Sequence, residues 1–170
     1  MIRYLEAPNY ENIRDDESVV FLAGPITGAP NWQPEVTNLL KQYSESNYVI
    51  ANPRRQETTS GYFNDYEFSE QVDWEIKHLQ YADQKGAILF WFPKEEFSVP
   101  TRDYAQTSRF ELGYFVRNNP YIFIGIESGF PGERYIKYML PKYRDFLPII
   151  VDNLDELCRK TAYFMDATFK

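Results

Sequence analysis

The side chains best suited to covalent chemistry are carboxylates, and two stand out by position. Glu111 lies in Thr107-Ser-Arg-Phe-Glu-Leu-Gly113, at the start of a helical pattern directly after the longest loop. A carboxylate there faces a crevice and can serve as nucleophile or as general acid or base. Ser108-Arg-Phe-Glu111 also has the spacing of a capping box, in which the glutamate hydrogen-bonds the amide of the first residue. Both readings stand on the residues alone. Glu75 has Val72 three residues before it and Leu79 four after, on the margin of a buried helix face. There it either meets a ligand or pairs with His78 or a backbone group. Asp73 is followed by Lys77 at helical spacing and reads as a solvated pair, and Asp83 reads as a helix-end turn residue.

The loop Gly24-Pro-Ile-Thr-Gly28 leaves a strand with two glycines around Pro25. It lacks the lysine and spacing of a phosphate-binding P-loop. It suits a turn that brings the backbone of Gly24, Pro25 and Ile26 against a small ligand. Trp32, Tyr62 and Phe63 lie in or beside the same loops and could flank a planar heterocycle, as could Trp91 and Phe92, with packing in the core as the alternative. Arg54, Arg55, Arg102 and Arg109 could bind phosphate or pair with local acids. Gly113 could serve close packing on its helix. The single histidine, His78, excludes sites needing two imidazoles from one chain and argues against a Ser-His-Asp triad.

These residues need a frame. Val19–Ala23, Tyr48–Ala51, Ala87–Phe92, Tyr121–Ile126 and Leu147–Val151 are short, continuously apolar runs, as in strands covered on both faces. Helical patterns separate them at Pro34–Ser44, Ser69–Ala82, Ser108–Asn118 and Gly132–Tyr143, and a fifth, Asn153–Met165, follows an N-cap asparagine. The alternation predicts an α/β fold, a three-layer αβα sandwich around a mostly parallel five-stranded sheet in the flavodoxin-like order 2-1-3-4-5. Loops entering strands are short and those leaving them are long, so the working face is the carboxyl edge of the sheet, between the exits of the first and third strands.

The chain has 170 residues, close to one domain at about 150 residues each. Its formal charge of −7 argues against a polymeric nucleic acid partner. No apolar run approaches the roughly 20 residues that span a bilayer, so no membrane partner is expected. The opening residues show no secretory signal and Cys158 is the one cysteine, which makes a cytoplasmic address the expectation.

Taken in order, Phe21-Leu-Ala-Gly-Pro-Ile-Thr-Gly28, Asn52-Pro-Arg-Arg55, Glu70-Gln-Val-Asp-Trp-Glu75, Ala82-Asp83 before Ile88–Phe92, and Arg109-Phe-Glu-Leu-Gly113 resemble the nucleoside 2-deoxyribosyltransferase-like family. The resemblance spans roughly residues 18 to 126 and implies a flavodoxin-like fold. It makes Glu111 the nucleophile that takes the 2-deoxyribosyl group, and puts Glu75 where family members carry an aspartate that contacts base or sugar. A further family aspartate that binds the base falls in a segment that here holds Asp103 and Gln106. Glu75 or Asp103 would then protonate the leaving base. The implied activity is transfer of 2-deoxyribose between nucleobases, with N-glycoside hydrolysis or binding without turnover as alternatives. It needs no metal or organic cofactor, and its partners are a nucleoside or nucleotide and a nucleobase. Family members complete their pockets across subunit contacts. With 18% aromatic residues in an acidic chain, a homo-oligomer burying some of Tyr114, Phe115, Tyr135 and Tyr138 is expected.

Overall fold

In the computed structural model, which describes residues 1–55, 64–117, 119, 121–142 and 149–169, six strands form one sheet in which every neighbouring pair is parallel. The strands are β1 (Arg3–Glu6), β2 (Ser18–Ala23), β3 (Tyr48–Asn52), β4 (Gly86–Phe92), β5 (Ile122–Ile126) and β6 (Ile149–Val151). The helices are α1 (Gln33–Tyr43), α2 (Asp65–Lys85), α3 (Gln106–Phe115), α4 (Glu133–Met139) and α5 (Leu154–Thr168), with a 3-10 turn at Leu140–Lys142 after α4. The sheet order is β1-β3-β2-β4-β5-β6. The last five of these carry the expected 2-1-3-4-5 order, and β1 is an additional edge strand. It escapes a search for continuously apolar runs because Arg-Tyr-Leu-Glu alternates, with Leu5 buried and its neighbours partly or fully open to solvent.

Strand alternation divides the core between the two faces. Val19, Phe21, Ile88, Phe90, Ile122 and Ile124 point toward Trp74 and Ala82 of α2, Leu112 of α3 and Ile136 of α4. Val20, Leu22, Ala87, Leu89 and Phe123 point toward Val36 and Leu40 of α1 and Leu157, Cys158 and Met165 of α5. Thus α2, α3 and α4 cover one face, and α1 and α5 the other. Gly86 makes the direct passage from α2 into β4 sterically allowed, since a Cβ there would stand 1.8 Å from the Val19 carbonyl oxygen.

Two helix starts differ from expectation in ways that matter for the site. α2 begins at Asp65, four residues earlier than the apolar periodicity indicates, because Asn64 and Glu67 form a reciprocal capping box. α3 begins at Gln106 behind Ala105, whose φ of 56° is left-handed, and has no side-chain cap. Ser108 is therefore inside the helix, and Glu111 is not its capping partner. Asp83 also lies inside α2, exposed, and Gly113 has open space where a Cβ would go. The start of the fifth expected strand and the end of the fourth expected helix lie outside the described residues.

Candidate active site

The carboxyl ends of β2 and β3 and the loop after β4 open into a cavity of about 1370 Å³, walled by α1 on one side and by α2 and α3 on the other. Its floor forms where β2 ends. Gly24 has a φ of 154°, and a Cβ there would stand 2.2 Å from the Trp91 carbonyl oxygen, so only glycine lets the chain cross β4 this closely. Trp32 donates from Nε1 to the Pro25 carbonyl at 3.0 Å and fixes the turn from beneath. The backbone of Gly24, Pro25 and Ile26 then lines the cavity.

Glu75 and Glu111 reach this cavity from different helices. Glu75 is half-buried, and its Oε1 accepts from Gln71 Nε2 at 2.8 Å. Gln71 is itself locked. Its Nε2 also donates to the Pro53 carbonyl at 2.8 Å, and its Oε1 accepts from Arg55 Nε at 2.6 Å. Arg55 in turn pairs with Glu70 at 2.8 Å. This chain of contacts fixes one oxygen of Glu75 and places the Arg55 charge behind the amide, one residue removed from the carboxylate.

The electrostatics follow from burial. Desolvation pushes the Glu111 carboxyl up to about 8, and the neighbouring Glu75 charge adds to the rise. Glu75 is also raised by burial, against the lowering effect of the Gln71 hydrogen bond and of Arg55. The Glu75 charge acts on Glu111, so the two titrate as a coupled pair in which Glu111 holds its proton at neutral pH. A carboxylate pair holding one proton can attack with one member and protonate with the other.

Among the other sequence candidates, Arg54 lines the cavity and donates from Nη2 to the Ile26 and Pro30 carbonyls at 3.2 and 3.0 Å. Four candidates are not brought to the cavity. Trp32 is buried beneath the loop, packed with the α1 and α5 core. Asp103 and Gln106 are exposed on the approach to α3. Arg109 turns away, donating to the Pro131 carbonyl at 2.6 Å with its guanidinium 5.1 Å from the Phe130 ring centre. Within α3, Ser108 and Glu111, three residues apart, share the face that lines the cavity, and Gln106 and Arg109 do not line it. Tyr62 and Phe63 lie outside the described residues. His78 does not pair with Glu75. Its Nδ1 lies 2.7 Å from the Trp74 carbonyl oxygen, and its ring stacks on Trp74 at 3.9 Å.

Sequence reasoning missed several of the cavity's residues. Asn52 is buried at the end of β3, where its Oδ1 accepts from the Arg54 amide at 3.0 Å and its Nδ2 donates to the Tyr4 hydroxyl at 2.6 Å. Phe68 and Phe97 present exposed rings to the cavity. Gln71 is signalled only by its spacing of four from Glu75 within one helix. Among the described residues, no group of three or more His, Cys, Asp or Glu is placed to hold a metal ion, and no helix is long and apolar enough to cross a membrane.

A search of the curated proteins finds no match to this chain. A family model described as nucleoside 2-deoxyribosyltransferase like matches residues 17–130, from the entry into β2 to Phe130, and so takes in the Gly24 turn, Arg54, Glu75 and Glu111. The match covers more than half of the chain and includes both carboxylates, and the chain belongs to the nucleoside 2-deoxyribosyltransferase-like family.

Proposed function

We propose that this protein is a nucleoside 2-deoxyribosyltransferase that works through a covalent deoxyribosyl-Glu111 intermediate. The observation that carries the reading is the convergence of Glu75 and Glu111 from two helices in one cavity, both raised in pKa and with the Glu75 charge acting on Glu111. In the reactive arrangement the proton that Glu111 holds at rest has passed to Glu75, leaving Glu111 ionised. As the bond from C1′ to the base nitrogen breaks, the Glu75 proton passes to the departing base. Positive charge grows on the sugar, and a Glu111 oxygen bonds to C1′. A second base then attacks C1′ through its ring nitrogen and gives its proton to Glu75, and the bond to Glu111 breaks. Two displacements at C1′ retain its configuration. Pro25, Ile26, Phe68 and Phe97 supply the apolar walls that a flat heterocycle requires. No step calls for a metal or an organic cofactor.

A cavity of about 1370 Å³ exceeds the roughly 300–1,000 Å³ of ordinary ligand pockets, and leaves space beside a nucleoside for a second base or for water. If water attacks the intermediate, the same residues make an N-glycosidase. Tyr114, Tyr135 and Tyr138 stand exposed on α3 and α4, while Phe115 packs partly into the core, and the tyrosines support a homo-oligomer through this face. The deciding experiment is chromatography of a 2′-deoxynucleoside incubated with and without a second free base. A new nucleoside establishes transfer, and free 2-deoxyribose establishes hydrolysis. Intact-mass analysis after an acid quench should find the deoxyribosyl adduct on the peptide containing Glu111. Absence of any product from all four common 2′-deoxynucleosides and their 5′-monophosphates would overturn the reading.

A further inference from the structure

Of the four arginines near the working face, two line the cavity without an ion pair among the described residues. Arg55 is neutralised by Glu70, and Arg109 faces away. Arg54 and Arg102 both line the cavity, and no carboxylate among the described residues forms an ion pair with either. They hold consecutive residues of the same turn. Arg54 donates to the Ile26 carbonyl, and Arg102 Nη1 lies 3.4 Å from the Thr27 hydroxyl. Arg54 uses Nη2 for both of its backbone contacts, and its Nε is buried without a partner. Burial pulls its pKa down, the mark of a charge taken from water without full compensation, and the acid that acts on it most is the exposed Glu96. The cavity thus has an acidic part at Glu75 and Glu111 and a separate cationic part at the Ile26–Thr27 turn.

We propose that Arg54 and Arg102 form an anion subsite that takes the 5′-phosphate of the substrate, so that the sugar donor is a 2′-deoxynucleoside 5′-monophosphate. The inference rests on the function proposed above, since Glu75 and Glu111 must address the other end of the same molecule. Guanidinium groups suit the task because a planar fork matches two phosphate oxygens, and charge-assisted hydrogen bonds in a partly desolvated cavity exceed their strength in water. A phosphate between the two arginines supplies the ion-pair partner that neither has among the described residues. It also holds the sugar at the end remote from the scissile bond, where binding energy can orient C1′ toward Glu111.

The test is calorimetric binding of the four common 2′-deoxynucleosides, their 5′-monophosphates and inorganic phosphate to the Glu111→Gln protein, which keeps the cavity while removing the nucleophile. At least one monophosphate should bind about tenfold or more tightly than its nucleoside, as a charged hydrogen bond provides, and more tightly than inorganic phosphate. Arg102→Met, at an exposed side chain held by one long contact, should remove most of that ratio. Arg54→Met should do the same, and Arg54→Lys should restore part of it, with circular dichroism melts confirming the fold of each. A ratio near one, a ratio unchanged in both methionine variants, or inorganic phosphate binding as tightly as the monophosphate would overturn the subsite. Failure of the function is seen separately, as wild-type protein that turns over neither nucleosides nor monophosphates.

Discussion

Replacing Glu111 by glutamine should stabilise the protein in alkali while abolishing its chemistry. The Glu111 carboxyl is lifted from 4.5 to about 8 by burial and by Glu75. A raised carboxylate binds its proton more tightly in the folded chain than in the unfolded one. Its contribution to stability is therefore complete below the unfolded value and is lost as pH rises through about 8, where the folded protein must carry the buried charge. At about 1.36 kcal/mol for each pKa unit the ceiling on this loss is about 5 kcal/mol. Glu111 is only half-buried, and solvent entering the cavity screens the charge, which leaves about 1–3 kcal/mol. Glutamine keeps the shape and never ionises. Urea unfolding should give nearly equal stabilities for the two proteins at about pH 4, and a variant more stable by about 1–3 kcal/mol at about pH 9.5. Over the same range its turnover should be lower by orders of magnitude. A stability difference that does not change with pH, or a variant that transfers deoxyribose at near the wild-type rate, would refute the reasoning.

Other perturbations probe the surroundings. Gln71→Leu removes the donor to Glu75 and leaves Arg55 Nε without its acceptor, so stability should fall by about 1–3 kcal/mol. The acidic limb of the pH–rate profile should move upward because Glu75 loses the bond that favours its ionised form. An unmoved limb would show that Gln71 only packs. His78 is buried with its pKa lowered, so the unfolded chain takes up a proton more readily than the folded one, and stability should decline as pH falls below about 6.5. His78→Phe should flatten that decline in acid melts, and an identical slope in both proteins would assign it to other groups. Tyr114, Tyr135 and Tyr138 are 68, 69 and 70% exposed, and light scattering at micromolar concentration should report an oligomer that Tyr135→Glu and Tyr138→Glu weaken. A monomer under those conditions would rule the face out as the contact.

The central strands were legible because each is apolar on both faces, a pattern that only a sheet buried on both sides requires, and their parallel order follows from the intervening helices. β1 was not, since half of an edge strand meets solvent and its alternation over four residues resembles any loop. Glu75 was found by its place between Val72 and Leu79, and Glu111 by its place after the longest loop. The capping role open to Glu111 failed for a reason that sequence does not carry. A left-handed residue at Ala105 starts α3 two residues before Ser108, and nothing in alanine announces a positive φ. Asp103, Gln106 and Arg109, plausible by spacing, do not line the cavity. Trp32 shows a different limit. Aromatics beside a site and aromatics beneath it have the same sequence neighbourhood, and only its bond to the Pro25 carbonyl shows which it is.

In the proposed mechanism the arrangement of charge around the carboxylate pair is what would make it reactive. Arg55 is near enough to Glu75 to lower its pKa, yet it is held by Gln71 and Glu70 and forms no ion pair with Glu75. A direct guanidinium bridge would have kept both acids ionised and neutralised, leaving no proton for a departing base and little attraction for a cationic sugar. With an amide interposed, Glu111 keeps its proton at neutral pH, and among the described residues the negative charge of the pair has no ion-pair partner. The charge that would balance it is the one that develops on the sugar as the glycosidic bond breaks. An interaction of that kind is stronger in the transition state than with the bound nucleoside, which is the condition for accelerating the chemical step rather than merely tightening binding.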